Sequence, residues 1–331
     1  MVVALLSLVA GIVAGASMHT SVHVATGPRA TASSTTDPGV VAINTQLDDG
    51  NAAAGTGMVL TSDGLVLTNN HVIADATTIT AQVDGSGPSY QGDVIGYDIS
   101  ADVAVVQLRN ASDLATVSPA TSAVRVNDRV VALGNALGQG GPPAVASGSV
   151  TRLDQTITVG DANGQHQETL SGLIEADLTL QPGDSGGPLL NLDAEVIGMN
   201  TAAFLSGRGG GGDLGYAIPI GNALAIAAQI ASGTSSDHVH IGDRAMLGVQ
   251  VDLTGPGAHI LSVGPGGPAD MAGMAAGDTI LSVDATPVAD AASIRTALDP
   301  YHPGDQTTVV WVDAAGVTHE ASIPLVKGPP A

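Results

Sequence analysis

Short apolar runs separated by turn-forming residues fill most of the chain after residue 38. Gly, Asp and Asn stand between the runs, and Ser62-Asp63-Gly64 joins two of them in the manner of a hairpin turn. Many short strands with regular turns are typical of an antiparallel barrel or sandwich. The pattern therefore predicts a mainly β domain at 39–232, with its clearest strands at 57–60, 64–68, 103–108, 130–133 and 214–220.

A different pattern follows a polar stretch at 233–243, which we interpret as a linker. Before it, residues 222–231 have a helical composition and Gly233 is placed as their C-cap. After it, strand-like runs alternate with two helical stretches, the first of which follows Pro268, a residue suited to the first turn of a helix. Residues 244–328 are therefore predicted to form a separate small α+β domain, with strands at 247–253, 259–263, 279–283, 307–312 and 317–323 and the second helix at 290–298.

The start of the chain is almost wholly apolar, and residues 2–18 carry no charge. As a helix this stretch would reach roughly 27 Å, close to the thickness of a bilayer core. No Lys or Arg precedes it, so the charged start of a signal peptide is missing. We predict that residues 1–18 are a membrane anchor or, as the alternative, a cleaved signal segment, and that residues 19–38 are a flexible linker. The remainder would then lie outside the cytoplasm, held at the cell membrane by a single pass, or secreted after cleavage.

Composition and charge exclude several classes of partner. The chain has 9 Lys and Arg against 31 Asp and Glu, a formal net charge of −22, which argues against nucleic acid as a partner. It contains no cysteine, so disulfides, thiol nucleophiles and thiolate metal sites are excluded. The glycine run at 207–212 lacks the Lys-Ser/Thr of a phosphate-binding loop, and Asp237-His238-Val239-His240 gives only part of a metal site. No cofactor and no metal are expected.

The run Gln181-Pro182-Gly183-Asp184-Ser185-Gly186-Gly187-Pro188-Leu189 has the composition of a nucleophile with its oxyanion hole. A serine hydroxyl becomes reactive when a base takes its proton and backbone N–H groups receive the developing negative charge. Glycine before the serine lets the N–H groups of Gly183 and Ser185 point to one spot, and the two glycines after it keep side chains away from a substrate. Ser185 is therefore a candidate nucleophile.

A histidine and an acid stand upstream of this serine. His71 follows an apolar strand directly, and Asp102 begins another strand 31 residues later. The order His, Asp, Ser is one of the known orders for serine catalysis. In these roles His71 would take the proton of Ser185 and Asp102 would orient the imidazole. Asp98 is a rival acid, but Asp102 is preferred because the apolar run follows it at once, whereas Asp98 is better placed to make the turn.

These segments resemble the HtrA/Deg family of trypsin-like serine proteases, and the resemblance covers residues 40–328. It implies two six-stranded β-barrels with the catalytic cleft between them, followed by a PDZ domain. It also implies an oxyanion hole from the N–H groups of Gly183 and Ser185, with Asp184 as a further candidate. The resemblance rests on Thr68-Asn69-Asn70-His71-Val72, Gly134-Asn135-Ala136-Leu137-Gly138, Ile174-Glu175-Ala176-Asp177, the Ser185 segment and Gly215-Tyr216-Ala217-Ile218-Pro219.

The resemblance also implies which residues recognise substrate. Six residues before the serine a trypsin carries an acid, and this chain has Thr179, so an apolar P1 residue such as Val, Ala or Leu is predicted. Leu180, Asn200, Thr201 and Ala202 are expected to line the same pocket. In the PDZ domain the carboxylate-binding loop falls on Met246, Leu247, Gly248 and Val249, and Ile294 is expected to face the peptide groove.

The function implied is that of an extracytoplasmic serine endopeptidase of protein quality control. It would cleave unfolded or damaged proteins and recognise peptide C-termini through its PDZ domain. A non-catalytic PDZ scaffold or chaperone and an esterase are the alternatives, and the intact His71, Asp102 and Ser185 set disfavours the first of them. The family commonly forms homo-oligomers, often trimers built on aromatic residues of the N-terminal segment. This chain departs from that pattern, because no Phe, Trp or Tyr precedes Tyr90.

Overall fold

A computed structural model describes residues 2–4, 39–47, 50–160, 168–204, 214–252 and 257–330. The predicted linker at 19–38 and most of the predicted anchor at 1–18 lie outside these residues, apart from a strand β1 (Val2–Ala4) that pairs in parallel with Thr158–Gly160. None of the helices in the described ranges is long and apolar enough to cross a membrane.

The first β-barrel is built from six strands. Each strand pairs with the next around the ring in the order β6-β5-β2-β3-β4-β7, and pairing of β6 with β7 closes it. Its interior is filled by aliphatic side chains such as Val41, Ile43 and Val66, because alternate residues of each strand point inward. The strands are β2 (Val40–Leu47), β3 (Ala52–Val59), β4 (Leu65–Thr68), β5 (Ala76–Val83), β6 (Ser89–Asp98) and β7 (Val103–Leu108).

The second barrel repeats this plan, with the order β9-β10-β13-β12-β11-β8 closed by pairing of β8 with β9. A separate apolar cluster fills it, and a larger cluster containing Met58, Val105 and Met199 packs the two barrels against each other. Two six-stranded barrels were expected, and this architecture is confirmed. The strands are β8 (Arg129–Gly134), β9 (Ala144–Gly160), β10 (Glu168–Ala176), β11 (Pro188–Leu190), β12 (Val196–Phe204) and β13 (Leu214–Pro219).

Helices are short in this part of the chain. Helix α1 (Asn70–Ile73) follows β4 directly, and a 3-10 turn occupies Ala136–Gly138. Helix α2 (Ile220–Ala231) buries one apolar face, including Ile220, Ala223 and Ile230, in the cluster between the barrels. The helix begins two residues before the predicted stretch. It ends as predicted, because Gly233 has a φ of +71° and its N–H donates to Ile230 O.

The segment predicted as a linker, 233–243, contains a strand. β14 (Val239–Ile241) pairs with β6 and extends the first barrel. His240 is buried there, stacked between the rings of Tyr97 and His302 with centroid distances of 5.0 and 5.5 Å. The polar composition concealed this strand, since its contacts are made with a distant part of the chain.

The C-terminal domain is a small α+β unit, as predicted. A sheet in the order β16-β17-β18-β20-β21 packs against α4 around a core that contains Ile280, Val309 and Trp311. Helix α4 begins with a capping box between Asp290 and Ser293. The elements are β15 (Ala245–Met246), β16 (Val249–Val251), β17 (Ala258–Val263), α3 (Pro268–Met271), β18 (Thr279–Val283), β19 (Thr286–Pro287), α4 (Ala291–Leu298), β20 (Gln306–Val312), β21 (Thr318–Pro324) and β22 (Val326–Lys327).

Candidate active site

His71 and Asp102 contact each other at the end of the first barrel. The ring Nδ1 of His71 lies 2.9 Å from Asp102 Oδ2 and 3.0 Å from Oδ1, and the backbone N–H of His71 donates to Oδ1 at 3.0 Å. Asp102 is 2% exposed, so these hydrogen bonds are shielded from water. Asp98, the rival acid, instead accepts from Ser100 Oγ and from the N–H of Ala101, and so makes the turn.

Two further side chains fix the position of Asp102. The hydroxyl of Thr201 donates to Asp102 Oδ2 at 2.5 Å, and the amide of Asn69 donates to the backbone oxygen of Asp102 at 2.9 Å. Thr201 was predicted as a pocket residue, but its side chain is buried and bonded to the acid. Asn69 lies in the segment 68–72, one of those that resemble the HtrA/Deg family. Its role was not predicted, because the bond to Asp102 spans 33 positions of sequence.

Ser185 lies on the turn between β10 and β11 of the second barrel. Its Oγ donates to the backbone oxygen of Thr201 at 3.3 Å. Thr201 therefore contacts Ser185 through its carbonyl and Asp102 through its hydroxyl. The structure brings the predicted nucleophile and the predicted acid together on one residue of β12, with His71 bonded to that acid.

The backbone around Gly183 leaves two N–H groups available for an oxyanion hole. Within the described residues, the N–H groups of Gly183 and Ser185 donate to no protein acceptor. The neighbouring carbonyls are held elsewhere, since Pro182 O accepts from the N–H of Leu137 at 2.6 Å and Gly183 O accepts from Thr56 Oγ1 at 2.7 Å. Gly183 has a φ of +99°, and a Cβ there would lie 2.2 Å from Asn135 O, so only glycine fits.

Asp184 does not contribute its N–H to this hole, contrary to the prediction. That N–H donates to Gln181 O at 2.9 Å, and the side-chain Oδ2 accepts from the N–H of Gln181 at 2.8 Å. The other oxygen, Oδ1, is buried against Gly134 without a hydrogen-bond partner in the part of the chain that the structure describes. Burial raises the pKa of Asp184 to about 6.

Thr56, on the first barrel, holds the serine turn of the second. Its hydroxyl donates to Gly183 O and accepts from the N–H of Asn135 at 2.8 Å, while its own N–H donates to Ser185 O at 2.8 Å. Gly186 has a φ of +84° and packs on the backbone oxygen of Thr56, where a Cβ would come within 2.1 Å. Sequence reasoning missed Thr56. The one available signal was a threonine between two glycines inside a strand.

Known proteins resemble this chain in both halves. A trypsin-like peptidase domain matches residues 55–199, and a PDZ domain matches residues 245–323. The serine protease PepD of Mycobacterium tuberculosis is 33% identical over 311 residues, 88% of this chain and 64% of PepD. The periplasmic serine endoprotease DegP of Escherichia coli is 32% identical over 268 residues, 78% of this chain and 54% of DegP. The chain therefore spans between half and two thirds of the length of these curated relatives.

A solved structure agrees with this likeness. The HtrA-type protease AlgW with tripeptide has a TM-score of 0.52 and 26% identity to this chain, over 89% of this chain and 95% of AlgW. The chain belongs to the HtrA/Deg family. Its fold and its two domain matches agree with the resemblance found in the sequence.

Two of the segments that resemble the HtrA/Deg family meet in a buried hydrogen-bond network. Glu175 is 2% exposed and accepts from Arg152 at 2.7 and 2.8 Å, from the hydroxyl of Thr151 at 2.7 Å and from that of Tyr216 at 2.8 Å. Burial alone would raise the pKa of Glu175, but these donors together lower it below its ordinary value. Burial and the bond to Glu175 raise the pKa of Tyr216 to about 12. The network ties β9, β10 and β13 together in the second barrel.

The residues predicted to line the substrate pocket of this HtrA/Deg protein divide into two groups. The side chains of Leu180 and Asn200 are buried, Leu180 in the core of the second barrel and Asn200 donating to Pro188 O at 3.2 Å. Neither side chain is exposed, so neither is available to line a pocket as predicted. Thr179 is half-buried and uncharged. The side chain of Ala202 lies outside the described residues.

The predicted PDZ residues also fall into two groups, those in or next to the turn before β16 and those buried in the domain core. Gly248 has a φ of +78°, and its carbonyl accepts from the N–H of Gly264, so the turn before β16 is well defined. Leu247 and Ile294 are buried in the domain core, so Ile294 does not face a groove as expected. Met246 packs against Gly328. In the described part of the chain β16 pairs only with β17, so its other edge is open at Val249.

Proposed function

We propose that this HtrA/Deg chain is a serine endopeptidase whose catalytic residues are His71, Asp102 and Ser185. The observation that carries the proposal is the pair of contacts made by Thr201, whose hydroxyl bonds Asp102 and whose carbonyl accepts from Ser185 Oγ. Asp102 holds Nδ1 of His71. The other ring nitrogen, Nε2, is then the base for the Ser185 proton.

The reaction follows from this arrangement. Ser185 Oγ attacks the scissile carbonyl while its proton passes to His71, and the oxyanion forms hydrogen bonds with the N–H groups of Gly183 and Ser185. His71 returns the proton to the leaving amine. The amine departs, and the acyl group remains bound to Ser185 as an acyl-enzyme. Water then attacks the ester with the same proton relay and releases the new carboxyl end. Asp102 stays ionised throughout and stabilises the imidazolium.

The substrates proposed are unfolded or damaged proteins, cleaved after modest apolar residues. Thr179 supports this preference, because it offers no fixed charge to a basic P1 side chain. Apolar pockets discriminate weakly, by about 1–3 kcal/mol per methylene, so specificity would be broad. Peptide C-termini would bind the PDZ domain along the open edge of β16 at Val249, with main-chain groups of Met246–Gly248 near the carboxylate.

We place the activity outside the cytoplasm, since the relative DegP of Escherichia coli is periplasmic by name. A single-pass anchor at 1–18 and assembly into a homo-oligomer, such as a trimer, belong to the same proposal. An alkaline salt wash of membranes tests the anchor, because release of the protein by the wash would contradict it. Sedimentation of the full chain tests the oligomer, since a monomeric mass at micromolar concentration would contradict it.

The catalytic proposal is tested with a fluorophosphonate probe and with casein. The full chain should be labelled and should cleave casein, whereas Ser185→Ala should do neither. The matched control is Ser149→Ala on β9, which should keep both activities. Labelling of Ser185→Ala as strong as that of the parent chain would show that the assignment is wrong. A chain that binds peptide C-termini but neither reacts nor cleaves would instead be the non-catalytic scaffold.

A further inference from the structure

A cavity of about 460 Å³ lies where the first barrel meets the C-terminal segment of the chain. The cavity forms where β5 and β6 separate. Their pairing stops at Ile79 and Gly92, and from Gly92 onward β6 pairs with β7. The segments 242–244 and 327–330 cover the resulting gap. They are fixed by hydrogen bonds from the N–H of Asp75 to Pro330 O at 2.9 Å and from the N–H of Gly328 to Arg244 O at 2.8 Å.

Basic residues concentrate around this cavity. Three of the nine Lys and Arg residues of the chain line it: Arg109, Arg244 and Lys327. Two of them are paired, since Arg109 Nε donates to Asp93 Oδ2 at 2.7 Å and Lys327 Nζ lies 2.7 Å from Asp243 Oδ1.

Arg244 differs from the other two. In the described ranges its half-buried guanidinium makes no hydrogen bond, and no acid lies within 4.0 Å of it. Burial lowers its pKa, an effect that Arg295 reinforces and that Tyr97, Asp75 and Asp299 oppose from a distance. An arginine side chain covered in this way without a partner offers five N–H donors to a ligand.

The charges in the lining indicate what kind of ligand fits. Arg109, Arg244 and Lys327 contribute +3, and Asp93 and Asp243 contribute −2, which leaves one positive charge. A single carboxylate balances that charge and matches the planar guanidinium bidentately. A dianion such as phosphate would leave excess negative charge in a chain that already carries −22.

The remaining walls supply apolar surface. Ile79, Val94, Met246 and Pro329 line the cavity, whose volume lies in the range of small-molecule sites. Met246 belongs to the segment that leads into the turn at Gly248. An occupant would therefore contact both the first barrel and the first strand of the PDZ domain.

We propose that this cavity binds a ligand that carries one carboxylate on a small apolar body, with Arg244 as the anchor. The source of the carboxylate is a free carboxylic acid or the C-terminal end of a short peptide, and the two share the same recognition chemistry. The lining of the cavity includes neither Ser185 nor any residue of β16, although it shares Met246 with the segment that leads into β16. The inference therefore does not rest on the proposed activity.

The test is calorimetric titration of the full chain in a Ser185→Ala background, so that no probe is hydrolysed. The probes are hexanoate, acetyl-Ala-Val, its C-terminal amide and inorganic phosphate. The variants are Arg244→Gln and, as a matched loss of charge on an exposed arginine, Arg129→Gln. We expect a carboxylate probe to bind the parent and Arg129→Gln equally, and to bind Arg244→Gln roughly ten- to hundredfold more weakly. Binding of hexanoate would identify free acids as the source, and binding of acetyl-Ala-Val alone would identify peptide ends.

A second measurement does not depend on the folding of a variant. Carbon-13 methyl spectra of methionine, with Met246→Leu as the assignment control, should show a shift of the Met246 signal when the carboxylate probe is added. The proposal is overturned if Arg244→Gln binds as well as the parent, which would place the peptide on the PDZ domain. It is also overturned if phosphate binds and the carboxylates do not, if the amide binds as tightly as the acid, or if no probe moves the Met246 signal at millimolar concentration.

Discussion

The buried carboxyl of Asp184 should make the stability of the protein depend on pH in a way that one substitution removes. Its Oδ2 accepts one hydrogen bond from the N–H of Gln181, and its Oδ1 is buried without a partner among the described residues. The ionised form is therefore poorly solvated, and burial raises the pKa from 3.8 to about 6. In Asp184→Asn the side chain keeps an oxygen for Gln181 and is neutral at every pH.

The magnitude follows from the shift in pKa. A shift of about two units corresponds to about 3 kcal/mol of preference for the protonated form in the folded state. The unfolded chain loses this proton near pH 3.8, whereas the folded chain keeps it to about pH 6. The unfolding free energy of the parent should therefore fall, relative to that of Asp184→Asn, as pH rises through this window. About one unit above the folded-state pKa of about 6, the difference should become constant. The variant should then be favoured by about 3 kcal/mol more than it is at pH 3.5.

Urea denaturation in a Ser185→Ala background, repeated at half-unit steps of pH, measures this difference without autolysis. Asp184→Ala is the matched control, because it is also neutral and its larger packing loss should be the same at every pH. The two variants should therefore give parallel curves, offset from each other. If the parent and Asp184→Asn stay parallel between pH 3.5 and 7, the carboxyl is not a buried, poorly solvated acid and the reasoning fails.

Three further substitutions test the contacts that support the site. Thr56→Val leaves Gly183 O and one backbone N–H without partners, so the unfolding free energy should fall by about 1–3 kcal/mol and kcat/KM by roughly ten- to hundredfold; an unchanged kcat/KM would contradict its positioning role. Thr201→Val removes the hydroxyl donor of Asp102, so kcat should fall with little change in KM, and a change confined to KM would instead make it a pocket residue. Glu175→Gln should destabilise the protein by about 1–3 kcal/mol at pH 7, and the deficit should shrink as pH falls, because the lowered pKa of Glu175 stabilises the fold only while the acid is ionised; a deficit independent of pH would refute this.

The sequence alone predicted the features that local pattern encodes. The turn around Ser185 needs glycine at Gly183 for its positive φ, and that need is visible in the sequence as a glycine before a serine. The alternation of apolar runs and turns predicted the mainly β architecture, since strand periodicity is a property of neighbouring residues. His71 and Asp102 could be placed because each stands next to an apolar strand.

The features that were missed depend on contacts between distant parts of the chain. The bond from Thr56 to Gly183 spans 127 positions and the bond from Thr201 to Asp102 spans 99, and both exist only once the two barrels have closed. Ile294 was expected at a groove, but groove-facing and core-facing residues have the same helical periodicity. In the structure Ile294 is buried in the domain core. Local sequence carries no signal that separates these cases.

The same contacts show that neither barrel contains the whole of the candidate site. His71 and Asp102 belong to the first barrel, and Ser185 and Thr201 to the second, so the acid and the serine meet on Thr201 only across the interface. Thr56 crosses the interface in the opposite direction and holds the turn that carries Ser185. Two independent sets of hydrogen bonds therefore couple barrel docking to the geometry of the site. A shift of one barrel against the other would weaken both sets together, because hydrogen bonds depend on both distance and angle.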